Sequence, residues 1–350
     1  MEAIGSLRAG IAVRRGAVGG IALALVLVLA GASDARRPRA CSLTARAQFA
    51  ACQNDLKDDK FEGKAICLNL ADKDERRECI DELKVAAGEA REECRDQRDA
   101  RRDLCGEIGE EPYDPSFDPA GFDDDFSNLT TPNSHYPIAV GNQWKYVGGD
   151  ETITVEVLDK TKLIEGVTCI VVNDLVEEDG EAIENTDDWL AHALNGDIWY
   201  CGEIAQNFEV FPGDDPEEAE LVDVEGSWKA GRDGAKAGIL FPHMPMVGDV
   251  YRQEWAPGDA EDVAQVLATN YGFGNDAALD AFVPQALADL LCNDDCIVTG
   301  EFTPIEPDAF EHKYYAPGIG LFLEVEPASG ETVQLVDCNV HPTCAMLPAP

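Results

Sequence analysis

The sequence predicts an α+β protein in which a disulfide-stapled α-helical hairpin precedes an antiparallel all-β domain, either a curved open sheet or a barrel-like one. Six of the 12 cysteines lie in one proline-free segment with symmetric spacing. From about residue 141 onward, strand-like alternation of polar and apolar residues is interrupted by glycine-rich turns. With 350 residues, 45% of them hydrophobic, the chain is long enough to bury a core.

The first element is a predicted signal peptide over residues 1–35. Arginines precede an apolar run over 17–32, and small residues follow at 33–35. This order is typical of secretory signals. We therefore expect an exported protein, periplasmic or extracellular, with no transmembrane segment in the mature chain. Arg14-Arg15 leaves the twin-arginine export route open, and a retained anchor is the alternative to cleavage.

The second element is a helical hairpin over residues 41–106, rich in Ala, Glu, Arg, Lys and Leu. Its cysteines are separated by 11, 15, 12, 15 and 11 residues, which reads the same in both directions. In two antiparallel helices, the sequence numbers of facing residues add up to a constant value. The symmetric cysteine spacing therefore predicts two antiparallel helices with a turn at its midpoint, at about 70–74. Asp72 and Glu75 resemble a helix N-cap and its acidic partner.

The symmetry predicts three nested disulfides, namely Cys41–Cys105, Cys52–Cys94 and Cys67–Cys79. A bridge within one helix is excluded, because 11 residues rise about 16 Å, beyond the ~7 Å Cα limit for a disulfide. Gly63 leaves open a third helix with other pairings. A metal or haem site is the functional alternative, but the hairpin has no Cys-x-x-Cys pair and no histidine.

The third element is a linker over residues 107–137, where prolines and acids alternate with aromatic residues. We expect it to be extended and to pack partly on the next domain.

The segment 110–350 carries the whole net charge of −41, and the pI is about 4.2. This charge argues against a nucleic-acid partner. Calcium binding at Asp123–Asp125 is a minor alternative, since no D-x-[DN]-x-[DN]-G loop occurs.

The last element is the β domain over residues 138–345. Alternation of polar and apolar residues predicts strands, and residues 276–292 resemble a helical insertion. The predicted strands include 143–147, 152–157, 167–172, 184–193, 197–204, 249–256, 262–270, 296–304, 311–316 and 331–336.

The six cysteines of the β domain also predict disulfides, because thiols oxidise in exported chains. We expect Cys169–Cys201 across strands and two short loop bridges, Cys292–Cys296 and Cys338–Cys344. A zinc site built from the last four cysteines with His341 is the alternative. No metal and no cofactor is predicted.

Several short motifs of the β domain resemble a family of exported bacterial proteins with no assigned activity. The motifs are Gly141-Asn142-Gln143-Trp144-Lys145-Tyr146, Asp188-Trp189, Trp199-Tyr200-Cys201-Gly202-Glu203, Val247-Gly248-Asp249-Val250-Tyr251-Arg252-Gln253-Glu254 and Tyr314-Tyr315-Ala316-Pro317-Gly318-Ile319-Gly320. The resemblance covers about residues 115–336. Its pattern is loosely similar to lipoprotein-carrier-like curved sheets, which implies a sheet that shelters an apolar ligand.

Function is therefore expected to be non-enzymatic, with a small apolar ligand or an envelope component as the partner. The candidate ligand-binding residues are Trp189, Trp199, Glu203 and Glu254, and no catalytic residue is assigned. A glycan-directed hydrolase is one alternative, because Asp188, Glu203 or Glu254 beside tryptophans could supply paired carboxylates and sugar platforms. A structural envelope protein that interacts through the hairpin is the other.

Overall fold

The computed structural model describes residues 39–350, and the predicted signal peptide lies outside the described residues. Two antiparallel helices come first, α1 (Ala40–Asn69) and α2 (Lys73–Ile108). The Asp72 carboxylate caps α2 by accepting from the backbone N–H groups of Asp74 (2.7 Å) and Glu75 (3.0 Å). The hairpin therefore turns within the predicted interval of 70–74. α2 ends at Ile108, two residues beyond the predicted end of the hairpin at residue 106. None of the described helices is long and apolar enough to cross a membrane.

Three disulfides connect the two helices at Cα–Cα distances of 5.7, 5.8 and 5.5 Å, and they join the cysteines that the symmetric spacing predicts. α1 passes through Gly63 without a break, so the alternative of a third helix is wrong. A Cβ atom at Gly63 would lie 2.7 Å from Leu83 Cδ1. The glycine therefore allows the two helices to approach closely.

The β domain is one antiparallel sheet of 15 strands in the described part of the chain. The strands are β1 (Gln143–Gly148), β2 (Glu151–Ile164), β3 (Val167–Glu178), β4 (Glu181–His192), β5 (Ile198–Val210), β6 (Ala219–Asp223), β7 (Trp228–Lys229), β8 (Lys236–Phe241), β9 (Val250–Arg252), β10 (Glu254–Trp255), β11 (Val263–Tyr271), β12 (Cys296–Phe302), β13 (Phe310–Ala316), β14 (Gly320–Val325) and β15 (Thr332–Cys338).

The strand order is β10-β8-β5-β4-β3-β2-β1-β15-β14-β13-β12-β11-β9, with β6 and β7 added beside β5. β9 and β10 are separated by Gln253 alone, so the two ends of the sheet belong to one extended segment, which we call the seam (residues 250–255). The seam pairs with β11 through β9 and with β8 through β10. The sheet is therefore a nearly closed barrel. The α+β class and the barrel-like alternative of the prediction are confirmed.

Gly238 makes this closure possible. A Cβ atom at this position would lie 2.4 Å from the backbone oxygen of Gln253 in the seam. Any larger residue would push β8 away from the seam, because a backbone atom cannot rotate aside as a flexible side chain can.

One end of the barrel is closed by the predicted linker and the residues after it. Phe122 bridges to Ala193, Asn133 Nδ2 donates to the Gly196 carbonyl (3.0 Å), and Gly318 N–H donates to Ser134 (2.7 Å). The segment therefore packs on the β domain along its length, as the aromatic residues predict. Tyr136 enters the barrel, where its ring lies 5.7 Å from Phe241 and 6.3 Å from Tyr315.

The outer face of β12–β14 is covered by residues 272–291, which end in the short helix α3 (Gln285–Leu291). The predicted helical insertion over 276–292 is therefore too long. Pro284 lies at the N-cap in extended conformation, so the helix can begin only after it.

Three further disulfides lie in the β domain and join the predicted cysteines, Cys169–Cys201, Cys292–Cys296 and Cys338–Cys344. No described cysteine is free, so the thiols that the zinc alternative requires are already paired with each other. The calcium alternative is also unsupported, because Asp123 accepts from Thr130 and contacts His192 Nδ1 (2.9 Å).

Candidate functional site

The open end of the barrel contains a cavity of about 600 Å³, which we call the acidic mouth. Its lining includes seven carboxylates and, among the described residues, no Lys or Arg. The carboxylates are Asp150, Glu151, Glu178, Glu311, Glu324, Glu326 and Glu331. They come from the ends and turns of six strands that are adjacent in the sheet, in the order β3-β2-β1-β15-β14-β13. The mouth thus depends on the pairing of β1 with β15, which joins the first strands of the domain to the last.

Strand ends and tight turns place these acids. Glu151 and Glu178 face each other at the β2–β3 end, and Asp150 lies in the two-residue turn before β2. Glu326 and Glu331 belong to the turn between β14 and β15. Turns lie at the surface, where charged carboxylates remain hydrated. The pairing of β1 with β15 then brings together two turns that are distant in sequence, the β1–β2 turn and the β14–β15 turn.

Lys313 lies below the mouth and is surrounded by carboxylates. Its Nζ is 3.3 Å from Glu301, 3.7 Å from Glu324 and 3.8 Å from Glu311. Burial alone would lower the pKa of Lys313, but these acids outweigh burial and hold its pKa well above the ordinary value. The single positive charge of this group is thus already shared among three carboxylates.

Asp174 lies further into the lumen on β3. Burial raises its pKa to about 8, and the charges of Asp188, Glu184 and Glu324 add to the shift. Its Oδ1 atom is buried without a hydrogen-bond partner in the protein. A carboxyl group in this position keeps its proton in neutral solution unless a cation comes near.

Asp188 and Glu203 face each other across β4 and β5 and share one donor, Tyr200. The Tyr200 hydroxyl contacts Asp188 Oδ1 and lies 2.7 Å from Glu203 Oε2. A hydroxyl carries one proton, so both contacts can be hydrogen bonds only if a carboxyl group is itself protonated. Burial raises the pKa of both carboxyl groups, which favours one shared proton at this pair.

The two carboxylates among the predicted ligand-binding residues lie in this interior. Glu203 belongs to the tyrosine-linked pair, and Glu254 lies on β10 with its Oε2 buried and unpartnered. Glu254 is 4% exposed, and burial, followed by the charges of Asp262 and Glu203, raises its pKa well above the ordinary value.

The two tryptophans lie on the other face of the sheet, because successive strand residues point to opposite sides. The Lys162 ammonium lies 3.1 Å from the centre of the Trp189 ring. Trp199 packs against Phe117 and Phe122 of the linker, at 5.8 and 5.6 Å between ring centres. The structure therefore does not bring the tryptophans together with Glu203 or Glu254.

Sequence reasoning missed Asp174, Tyr200 and Lys313. The alternation of Val172, Asp174 and Val176 places Asp174 on the same strand face as two apolar residues, which is the signal that could have found it. Lys313 gives no such signal. Its partners on β12 and β14 come from other parts of the sequence.

Two further properties limit what the lumen can hold. An apolar space lined by Tyr136, Ile138, Trp144 and Leu321 has a volume of only about 50 Å³. Ligand sites commonly occupy about 300–1,000 Å³. Among the described residues, no group of three or more His, Cys, Asp or Glu side chains could hold a metal ion.

Comparison of the chain with family models, curated proteins and solved structures finds no match.

Proposed function

We propose that this protein is an exported, non-enzymatic ligand-binding protein whose acidic mouth holds a small cationic organic ligand, such as an alkyl polyamine. The observation that carries the proposal is the cavity of about 600 Å³ whose lining holds seven carboxylates. A cavity of this size is typical of small-molecule sites. The apolar space of about 50 Å³ is too small for a ligand, which favours a polar occupant over an apolar one.

The charge distribution supports a cation. Lys313 contacts Glu311 and Glu324 of the mouth as well as Glu301, so its single charge offsets only a small part of the seven carboxylates. A concave surface lined by one sign of charge focuses the electrostatic potential and concentrates ions of opposite sign. Among the described residues, these carboxylates form no group of three or more that could hold one metal ion. A ligand with several separated amino groups can instead contact carboxylates that lie apart.

The six disulfides support export, because such bonds persist in oxidising compartments. A non-enzymatic role is supported by the interior carboxyl groups. Asp188 and Glu203 meet at the same Tyr200 hydroxyl, whereas two-carboxylate glycoside hydrolysis requires a sugar between the carboxyl groups, about 5–10 Å apart. The tryptophans that would serve as sugar platforms lie on the outer face.

The proposal is tested by titrating spermidine into the purified, fully oxidised protein and measuring binding by isothermal calorimetry. We expect saturable binding that weakens about tenfold in the double variant Glu151→Gln/Glu178→Gln, because two carboxylates of the mouth lose their charge. Both residues are exposed at strand ends, so the change leaves the core intact.

The matched control is Glu218→Gln/Glu220→Gln, which removes the same charge from exposed residues outside the mouth. It should leave the affinity unchanged. Equal weakening in the two double variants would show that spermidine is attracted by the acidic surface as a whole, and the mouth would no longer be the site.

A further inference from the structure

A second concave surface lies between the hairpin and the barrel wall, and we call it the hairpin–barrel cleft. It has a volume of about 510 Å³. Its walls are the start of α1, the end of α2, the first residues of the linker and the seam. Unlike the acidic mouth, it contains basic and aromatic side chains.

Arg252 of the seam is the central feature of this cleft. The residue is 8% exposed, and its Nε and Nη1 atoms are buried without a hydrogen-bond partner in the protein. A buried guanidinium without an acceptor is unfavourable, because hydrogen bonds to water have been lost and none has replaced them. Burial accordingly lowers the pKa of Arg252.

Two of the three acids that line the cleft are already engaged with other cations, and the third, Glu111, is exposed. Glu261 accepts from Arg101 Nε (2.8 Å) and Nη2 (2.9 Å), and also from the Gly258 N–H (2.9 Å). Asp114 pairs with Lys236 at 2.7 Å. These two ion pairs leave Arg252 as the cation of the cleft that lacks a directly bound acid.

Aromatic rings lie beside the guanidinium. The Tyr113 ring centre is 5.6 Å from the Arg252 guanidinium carbon and 6.1 Å from the Trp255 ring centre. The Tyr113 hydroxyl donates to the Ala237 carbonyl (3.1 Å), which fixes the ring against the barrel. Ala45 and Ile108 add apolar surface from the helices.

We propose that the hairpin–barrel cleft binds a small aromatic carboxylate, with its anionic group on Arg252 and its ring against Tyr113 and Trp255. The carboxylate supplies the acceptors that the guanidinium lacks, and charge-assisted bonds of this kind are among the strongest in proteins. The ring fills space that a simple inorganic anion would leave hydrated. This site is separate from the acidic mouth and has the opposite ligand charge, so either can fail without the other.

The test uses the purified, fully oxidised protein and isothermal calorimetry with benzoate and phenylacetate. We expect saturable one-to-one binding of at least one of these acids. Benzyl alcohol, which has the ring without the charge, and inorganic phosphate, which has charge without the ring, should each bind at least about tenfold more weakly.

Arg252→Gln should weaken binding of the aromatic acid at least about tenfold. Arg91→Gln is the matched control, because it removes the same charge from an exposed position of α2 outside the cleft, and it should bind as the unmodified chain does. If Arg252→Gln fails to fold, as judged by its thermal transition and disulfide content, Tyr113→Leu in the linker replaces it and should also weaken binding.

Three results would overturn the proposal. The first is the absence of saturable binding of both aromatic acids. The second is unchanged affinity in Arg252→Gln or, where that variant does not fold, in Tyr113→Leu. The third is phosphate or benzyl alcohol binding as tightly as the better aromatic acid, which would assign the cleft to an inorganic anion or to a neutral ring.

Discussion

Asp174 illustrates at the scale of one residue how the acidic lumen affects stability. Burial raises its pKa to about 8, together with the charges of Asp188, Glu184 and Glu324, against the opposing charge of Lys313. The ordinary value is 3.8. Between these values the native state holds a proton that the unfolded chain releases. The contribution of Asp174 to stability therefore decreases as the pH rises through this window.

Asp174→Asn should remove this pH dependence, because the amide resembles the protonated carboxyl group at every pH. Above the folded-state pKa of about 8, we expect the variant to be more stable than the unmodified chain by about 1 kcal/mol or more, with little difference near the unfolded value of 3.8. Urea unfolding at both ends of the window measures the effect. A variant that is less stable than the unmodified chain across the whole pH range would contradict the assignment of a raised pKa to the buried Asp174 carboxyl group.

The candidate residues show how far sequence reasoning reaches at this scale. The sequence contains many acids, and the two that it predicts as ligand-binding residues, Glu203 and Glu254, lie in the lumen, where burial raises the pKa of both. The prediction of Trp189 and Trp199 rests on their adjacency to acids in the sequence, but adjacent strand residues face opposite sides of a sheet. Which face is the interior depends on how the sheet closes, and no local pattern encodes that.

At the scale of elements, the hairpin is attached to the barrel by a buried ion pair. The side chains of Arg101 on α2 and Glu261 beside the seam are only 6% and 3% exposed, with Nε and Oε2 2.8 Å apart. Gln97 Nε2 of the same helix donates to the Ile305 carbonyl (2.8 Å). The hairpin is therefore docked against the barrel wall, although its distal turn extends away with exposed Phe61 and Ile66.

Arg101→Met should lower the free energy of unfolding by about 3–5 kcal/mol, because it leaves the Glu261 charge buried with only the Gly258 N–H as a partner. The double variant Arg101→Met/Glu261→Leu should recover most of this loss, since neither charge remains. Urea unfolding of both variants is the measurement. If the double variant were as unstable as the single one, packing of the arginine stem and not the uncompensated charge would explain the effect.

The elements differ in how well the sequence predicts them. The hairpin follows from cysteine spacing and helix propensity, which are local properties, and its turn and pairing agree with the structure. The long strands follow from alternation. The predicted strand over 249–256 also includes β9 and β10. The two-residue strand β7 and the pairing of the seam with both ends of the sheet do not follow from alternation, because they depend on contacts between segments brought together by the whole fold, such as Gly238 against Gln253.

At the scale of the whole molecule, the net charge of −41 opposes compaction. The charge lies in the segment that forms the linker and barrel, where most acids have no basic partner.

The resemblance to exported bacterial proteins stays a prediction. The overall class, hairpin followed by antiparallel β domain, is confirmed because both periodicities persist over long segments.

Added salt should therefore stabilise the protein. The Debye length falls from about 30 Å at 0.01 M salt to about 8 Å at physiological ionic strength, which screens repulsion between carboxylates across the barrel. We expect the thermal midpoint to rise over this interval in sodium chloride, and to rise equally in potassium chloride. A midpoint that falls with salt would mean that surface ion pairs outweigh the net repulsion.

The nested arrangement of the hairpin cysteines also favours one order of oxidation. Among the three native pairs, Cys67 and Cys79 close the smallest loop, with a sequence separation of 12, so their bond has the lowest entropic cost of loop closure. Their bond brings Cys52 opposite Cys94, and that bond in turn aligns Cys41 with Cys105. The six cysteines could pair in about 15 ways. The chain can reach the native pairing if the disulfides form one after another, from the turn of the hairpin towards its open end.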